Sequence, residues 1–225
     1  MLELLRPVCA GGGHLAILDS SFNPPSAAHH AIASSSFPGH PGCERANYNA
    51  RLLLYSPRNA DKVPGNTDAT TEQRSEMMRL LAEHMSGAGQ ETGAALLALP
   101  TFAQKADLLA EQFPDWHLTF LVGTDTLTRV FDPKYYDDMD QALAHLFERA
   151  HLVCCARGAD AEAVLNEHPK IRDWAQRGNV RFIDAVGEVS STAIRRAVQE
   201  GDWELAERLC APGVGQYVRT EGLYR

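Results

Sequence analysis

The stretch Leu15-Ala-Ile-Leu-Asp-Ser-Ser-Phe-Asn-Pro-Pro-Ser-Ala-Ala-His-His30 joins an apolar run to a proline-bearing turn and then to a helix opening near Ser26. Ser26 and His29 stand three residues apart, a spacing that sets two side chains side by side on one helix face. The backbone N–H groups of a first helical turn lack intrahelical partners and point the same way. A hydroxyl, an imidazole and free N–H groups together suit a phosphate. The same stretch also reads as a proline turn followed by a helix-capping serine, which needs no ligand.

A second constellation lies far downstream, in Glu188-Val-Ser-Ser-Thr-Ala-Ile-Arg-Arg196. Ser190, Ser191 and Thr192 offer hydroxyls at a helix N-terminus, and Arg195, four residues after Ser191, returns to the same face. Such a group can hold a triphosphate. The plainer alternative is a serine-capped amphipathic helix with a solvated arginine, which explains the hydroxyls but not their upstream counterpart. His29 and His30 are adjacent and lack the spacing of a zinc site, so no protein metal ligand is assigned.

Short apolar runs supply the strands that would position these turns: His14 to Leu18, Arg51 to Tyr55, Ala94 to Leu99, Leu118 to Val122, Ala150 to Cys155 and Val180 to Ile183. Between them, helical spacing covers Thr71 to Met85, Ala103 to Phe113, Asp138 to Phe147 and Thr192 to Glu200. Alternating strands and helices predict an α/β fold, a Rossmann-like, doubly wound and mostly parallel sheet with helices on both faces. Ligands in that architecture sit beyond the carboxyl ends of the strands, where both constellations fall. Two loops, Phe37 to Asn49 and Pro57 to Thr67, exceed the usual ~4–6 residues. The second carries Arg58 and Lys62 just past a strand end.

The 225 residues are read as one domain, 1–225, with an ordinary globular composition of 44% hydrophobic and 22% charged residues. Lysine and arginine total 21 against 29 acidic residues, a net charge of −8, with no basic stripe for long nucleic acid. Five cysteines without CxxC spacing fit neither a disulfide framework nor a zinc site and point to a reducing compartment. No window approaches the ~20 apolar residues of a membrane span. The expected location is cytoplasmic or nuclear, without a membrane.

Ser20-Ser-Phe-Asn-Pro-Pro-Ser-Ala-Ala-His29 resembles the signature of a nucleotidyltransferase superfamily: a glycine, a Phe-Asp/Asn-Pro turn and two histidines three residues apart. A hydroxyl residue in place of the first histidine is similar to the nicotinamide mononucleotide adenylyltransferases of eukaryotes. Glu188 to Arg196 resembles the Ile-Ser-Ser-Thr-x-Ile-Arg motif of the same family, in the same order along the chain. The match extends to Tyr55-Ser-Pro-Arg-Asn-Ala-Asp-Lys62, Thr71-Glu-Gln-Arg74, Leu121-Val-Gly-Thr-Asp-Thr-Leu127 and the closing Gly215 to Tyr224.

The resemblance implies transfer of AMP from ATP to nicotinamide mononucleotide, giving NAD and pyrophosphate, with Mg2+ carried in by ATP. It implies His29, Lys62 and Arg195 as the catalytic charge-stabilising groups. ATP would be bound by Ser21, Phe22, Ser26, His29, Gly123, Asp125, Ser190, Ser191, Thr192 and Arg195, with Asp125 beside a ribose. The acceptor would meet Ser21, Phe22, Lys62 and Arg157, its ring between Phe102 and Tyr136, which stand where the family has tryptophans. Ser20 departs from the family's glycine, and Ala27 and Ala28 replace larger residues, as in a divergent, fungal-type branch. Nicotinate mononucleotide, phosphopantetheine or a choline-type phosphate with CTP remain alternative acceptors. An ATP-binding adaptor in protein quality control, with little transferase activity, is the alternative from another class.

Overall fold

Apolar runs of the sequence become the middle of a sheet in the computed structural model, which describes residues 2–9, 11–36, 47–57, 68–156, 160–184 and 189–225. Its strands are β1 (Leu2–Arg6), β2 (Gly13–Asp19), β3 (Ala50–Tyr55), β4 (Thr92–Leu97), β5 (Trp116–Gly123), β6 (Ala150–Ala156) and β7 (Val180–Asp184). They lie in the order β1-β4-β3-β2-β5-β6-β7. All neighbouring pairs are parallel except β1 with β4. The expected mostly parallel, doubly wound sheet is therefore present. The strand order reverses at the seam between β2 and β5, the position at which such sheets open a ligand crevice.

The central strands lack polar alternation because both faces are covered. Along β2, Ala16 and Leu18 belong to one apolar cluster while Leu15 and Ile17 belong to the other. The first cluster receives Met77, Met78, Leu81 and Met85 from α2 (Thr71–Gly87) and Ile194, Ala197 and Val198 from α8 (Ser191–Gln199). The second receives Ala106 and Leu109 from α3 (Phe102–Gln112), Leu127 and Val130 from α4 (Thr124–Val130), and Leu143, Leu146 and Phe147 from α5 (Met139–Arg149).

Strict alternation of strand and helix does not hold. Among the described residues no helix separates β1 from β2, and β1 adds an antiparallel edge that the sequence reading did not contain. Between β6 and β7 run two helices, α6 (Asp160–Glu167) and α7 (Pro169–Gln176). After α8 the chain continues through α9 (Trp203–Leu209) and α10 (Val214–Thr220), which return to the β2 turn and its helix α1 (Ala27–Ala33). No helix among the described residues is long and apolar enough to cross a membrane.

Candidate active site

The β2 strand ends at Asp19, and the next seven residues form the turn into α1. Ser26 is its N-cap, with His29 at the third helical position in a reciprocal capping arrangement. The Ser26 N–H donates to His29 Nδ1 at 2.9 Å, and the His29 N–H donates to Ser26 Oγ at 3.3 Å. Because Nδ1 accepts from a backbone donor, the neutral ring carries its proton on Nε2, which lies 2.8 Å from Ser20 Oγ. Burial lowers the His29 pKa to about 4, so the ring is neutral near pH 7.

The downstream motif docks directly onto this turn. Ser191 Oγ donates to the Pro24 carbonyl at 2.8 Å, and Arg195 Nη1 donates to the Asn23 carbonyl at 2.7 Å. Arg195 Nη2 also reaches Thr192 Oγ1 at 3.3 Å, while Ser190 caps α8 by accepting from the Ala193 N–H at 3.1 Å. Two stretches more than 160 residues apart thus share one wall.

That wall borders a cleft of about 790 Å³ at the seam between β2 and β5. Ser20, Ser21, Ser26, His29, Gly123, Asp125, Ser190, Ser191, Thr192 and Arg195 all line it. The size suits a nucleotide rather than a single ion. Gly123 ends β5 and starts α4; a Cβ built on it meets nothing within 4 Å, so its backbone faces open cleft space. Asp125 sits in the first turn of the same helix.

Other expected residues lie elsewhere. Phe22 is fully buried, its ring in the first apolar cluster and 5.2 Å from the His29 ring. It packs against the histidine within the apolar core, and Phe22 does not line the cleft. Phe102 and Tyr136 do not line the cleft. Phe102 packs edge-on to Phe120 at 5.2 Å and lies under Lys105 Nζ at 5.0 Å. Tyr136 donates its hydroxyl to the Val130 carbonyl at 2.8 Å, and burial first, then the charge of Asp132, raises its pKa to about 12. The two rings do not form an aromatic sandwich within this cleft. Lys62, Arg58 and Arg157 lie outside the described residues.

Several cleft groups escaped the sequence reading. Arg74, noted there only as the end of a matched segment, lines the cleft and donates from Nη1 to the Ser21 carbonyl at 3.2 Å and from Nε to the Ala69 carbonyl at 2.8 Å. Its Nη2 lies 3.4 Å from Asp68. Asn23 is clamped by Asp68 at 2.6 Å, by the Ala69 N–H at 3.1 Å and by the buried Tyr224 hydroxyl at 2.9 Å. With Arg74 matched to Asp68, Arg195 is the cleft arginine without an acid partner among the described residues. Cys155 also lines the cleft, but burial raises its pKa to about 11, leaving an unreactive thiol. Behind the wall, Lys105 and Asp19 form a buried ion pair.

No family model matches the chain. A Schizosaccharomyces pombe protein provisionally named nicotinamide mononucleotide adenylyltransferase is 29% identical over 230 residues, covering 93% of this chain and 85% of its own. A Prosthecochloris aestuarii protein provisionally named nicotinate-nucleotide adenylyltransferase is 26% identical over 217 residues, covering 93% and 97%. Both relatives are named as adenylyltransferases of pyridine mononucleotides, and the chain is similar to them over 93% of its length. Its fold is that of the Plasmodium falciparum nicotinic acid mononucleotide adenylyltransferase, with a TM-score of 0.61 at 14% identity, covering 94% of this chain and 96% of the other. A Vibrio parahaemolyticus structure, provisionally named nicotinate-nucleotide adenylyltransferase, gives 0.57 at 18% identity, covering 95% and 96%. The two docked motifs can present neutral N–H and hydroxyl donors and one guanidinium to an extended polyphosphate.

Proposed function

We propose that the chain transfers the AMP part of ATP to nicotinamide mononucleotide, with ATP lying across the seam between β2 and β5. The observation that carries this reading is the docking of Ser191 and Arg195 onto the Pro24 and Asn23 carbonyls beside His29. It turns two separate phosphate-binding motifs into one wall of a nucleotide-sized cleft. Gly123 and Asp125 border the same cleft, where a bare backbone and a carboxylate suit a ribose.

In the reaction, an oxygen of the acceptor's 5′-phosphate attacks the α-phosphorus of ATP in line with the bond to the bridging oxygen. That P–O bond breaks, its electron pair leaves with pyrophosphate, and a dinucleotide remains. Positioning and neutralisation of charge on the departing pyrophosphate carry the catalysis. His29 serves as a neutral Nε2–H donor, Arg195 as the cation, and Lys62 as a further cation toward both substrates. Ser190 and Thr192 offer hydroxyls to the phosphates, and Ser191, whose hydroxyl is committed to the Pro24 carbonyl, offers its helix N–H. Magnesium would be carried in with the triphosphate rather than held by a protein cage, and would supply further neutralisation of phosphate charge. The fission-yeast relative and the hydroxyl residue at Ser26 favour nicotinamide mononucleotide; the bacterial relative makes nicotinate mononucleotide the comparison acceptor.

The test is dinucleotide formation from ATP, magnesium and each mononucleotide by purified protein, with His29→Ala as control. Product from nicotinamide mononucleotide, lost in the variant, supports function and site together. Product from nicotinate mononucleotide alone reassigns the acceptor, and no product with either one, despite ATP binding, overturns the transferase reading in favour of an adaptor.

A further inference from the structure

We propose that Ser20 masks the phosphate-facing nitrogen of His29, so that ATP engages the histidine only after the serine hydroxyl has swung away. The inference rests on the assignment of ATP to this cleft. Nδ1 accepts from the Ser26 N–H at 2.9 Å, which leaves Nε2–H as the ring's one donor. That donor is 2.8 Å from Ser20 Oγ, and both residues line the cleft. A phosphate oxygen and the serine oxygen are both acceptors, and one N–H serves only one of them well. ATP and Ser20 therefore compete for the same proton.

The geometry confines the motion to the side chain. The Ser20 N–H is held by the Leu54 carbonyl at 3.0 Å, so the backbone is pinned to the strand end and rotation about the Cα–Cβ bond is the available release. The imidazole is pinned too, between the Ser26 N–H on one nitrogen and the capping helix behind it. A glycine at this position, as in the resembled signature, has no hydroxyl to offer. Ser20 thus makes the free site self-satisfied and weakens its hold on ATP.

The experiment measures binding of ATP with magnesium by calorimetry for wild type, Ser20→Ala, Ser20→Gly, His29→Ala and the Ser20→Ala/His29→Ala pair. It is combined with 15N spectra of histidine in the ligand-free proteins. Ser20→Ala is expected to bind ATP about three- to tenfold more tightly, the worth of one neutral hydrogen bond no longer displaced. In the His29→Ala background the same substitution changes nothing. The Nε2 resonance of His29 moves in Ser20→Ala without any ligand, a change that a purely structural serine would not cause. An unmoved resonance overturns the mask whether or not ATP binds. Unchanged or weaker ATP affinity in Ser20→Ala overturns it as well, because the hydroxyl would then be neutral or a ligand contact. If no protein in the series binds ATP, the assignment of ATP to the cleft falls with it, while the resonance still reports on the hydrogen bond itself.

Discussion

Arg195 donates to the backbone carbonyl of Asn23 at 2.7 Å, across 172 residues of chain. The guanidinium ties α8 to the β2 turn through Nη1, reaches Thr192 through Nη2, and lines the cleft. Arg195→Ala is expected to lower turnover by roughly 10²–10³, as for loss of one preorganised charge donor. Arg195→Lys keeps the charge but not the fork, and should recover only a small part. Steady-state pyrophosphate release reads both, and turnover near wild type in a folded Arg195→Ala protein would remove the residue from catalysis.

Gly123 offers a cleaner separation of binding from folding. Its φ of −86° is open to any residue, and a side chain there meets only cleft space. Gly123→Val should leave the melting temperature within a few degrees while raising KM for ATP about tenfold or more, because the added methyl groups occupy the nucleotide's approach. Equal KM values would place the ligand elsewhere.

His29 gives the fold an acid sensitivity of definite sign. Its pKa falls from 6.5 to about 4 in the fold, chiefly through burial. Above about 6.5 the ring is neutral folded or unfolded, and its contribution to stability is complete. From there down toward about 4 only the unfolded chain takes up the proton, so stability declines; below that both states are protonated and the decline levels off. His14, His30 and His151 shift the same way, also mainly through burial. Urea unfolding at pH about 7 and about 4.5 should therefore show a smaller loss in His29→Gln than in wild type, the difference being at most about 3 kcal/mol. Identical losses would contradict a buried neutral ring.

Phe22 should matter to stability before it matters to binding. The ring is wholly buried, and its φ of 44° is a left-handed conformation that few bulky residues adopt. Phe22→Ala is expected to cost about 3–5 kcal/mol in urea unfolding, whereas Phe22→Leu keeps KM for ATP close to wild type. A raised KM without loss of stability would return the ring to the ligand.

The buried pair of Lys105 and Asp19 supports the strand end from which Ser20 and Ser21 project. Lys105→Met alone leaves a buried carboxylate uncompensated and should cost about 3–5 kcal/mol. Combining it with Asp19→Leu should recover most of the loss. No recovery in the double variant would mean that the lysine acts through packing rather than charge.

Much of the architecture is legible in the residues because the centres of β2 to β6 are buried on both faces and so read as largely apolar runs. The edge strand β1 is half exposed on much of its length and borders one neighbour, so Leu2 to Arg6 carries no comparable signature. The cleft residues at 26, 29 and 190–195 are visible because local spacing on a helix reports a shared face. Asp68, Tyr224 and the Lys105–Asp19 pair are not, since their partners lie 45 to 201 residues away and no spacing rule spans that distance. Phe102 and Tyr136 show the converse. An aromatic residue type at a family position is visible, but the direction its ring faces is decided by Phe120 and the Val130 carbonyl.

The clamp on Asn23 by Tyr224 also orders events during synthesis. The tyrosine hydroxyl is supplied 201 residues after the asparagine it fixes. At the ribosome's pace of roughly 5–20 residues per second, about 10–40 s separate the appearance of the two groups. Throughout that interval the β2 turn exists without its last brace, so a nascent chain presents no finished cleft to any ligand.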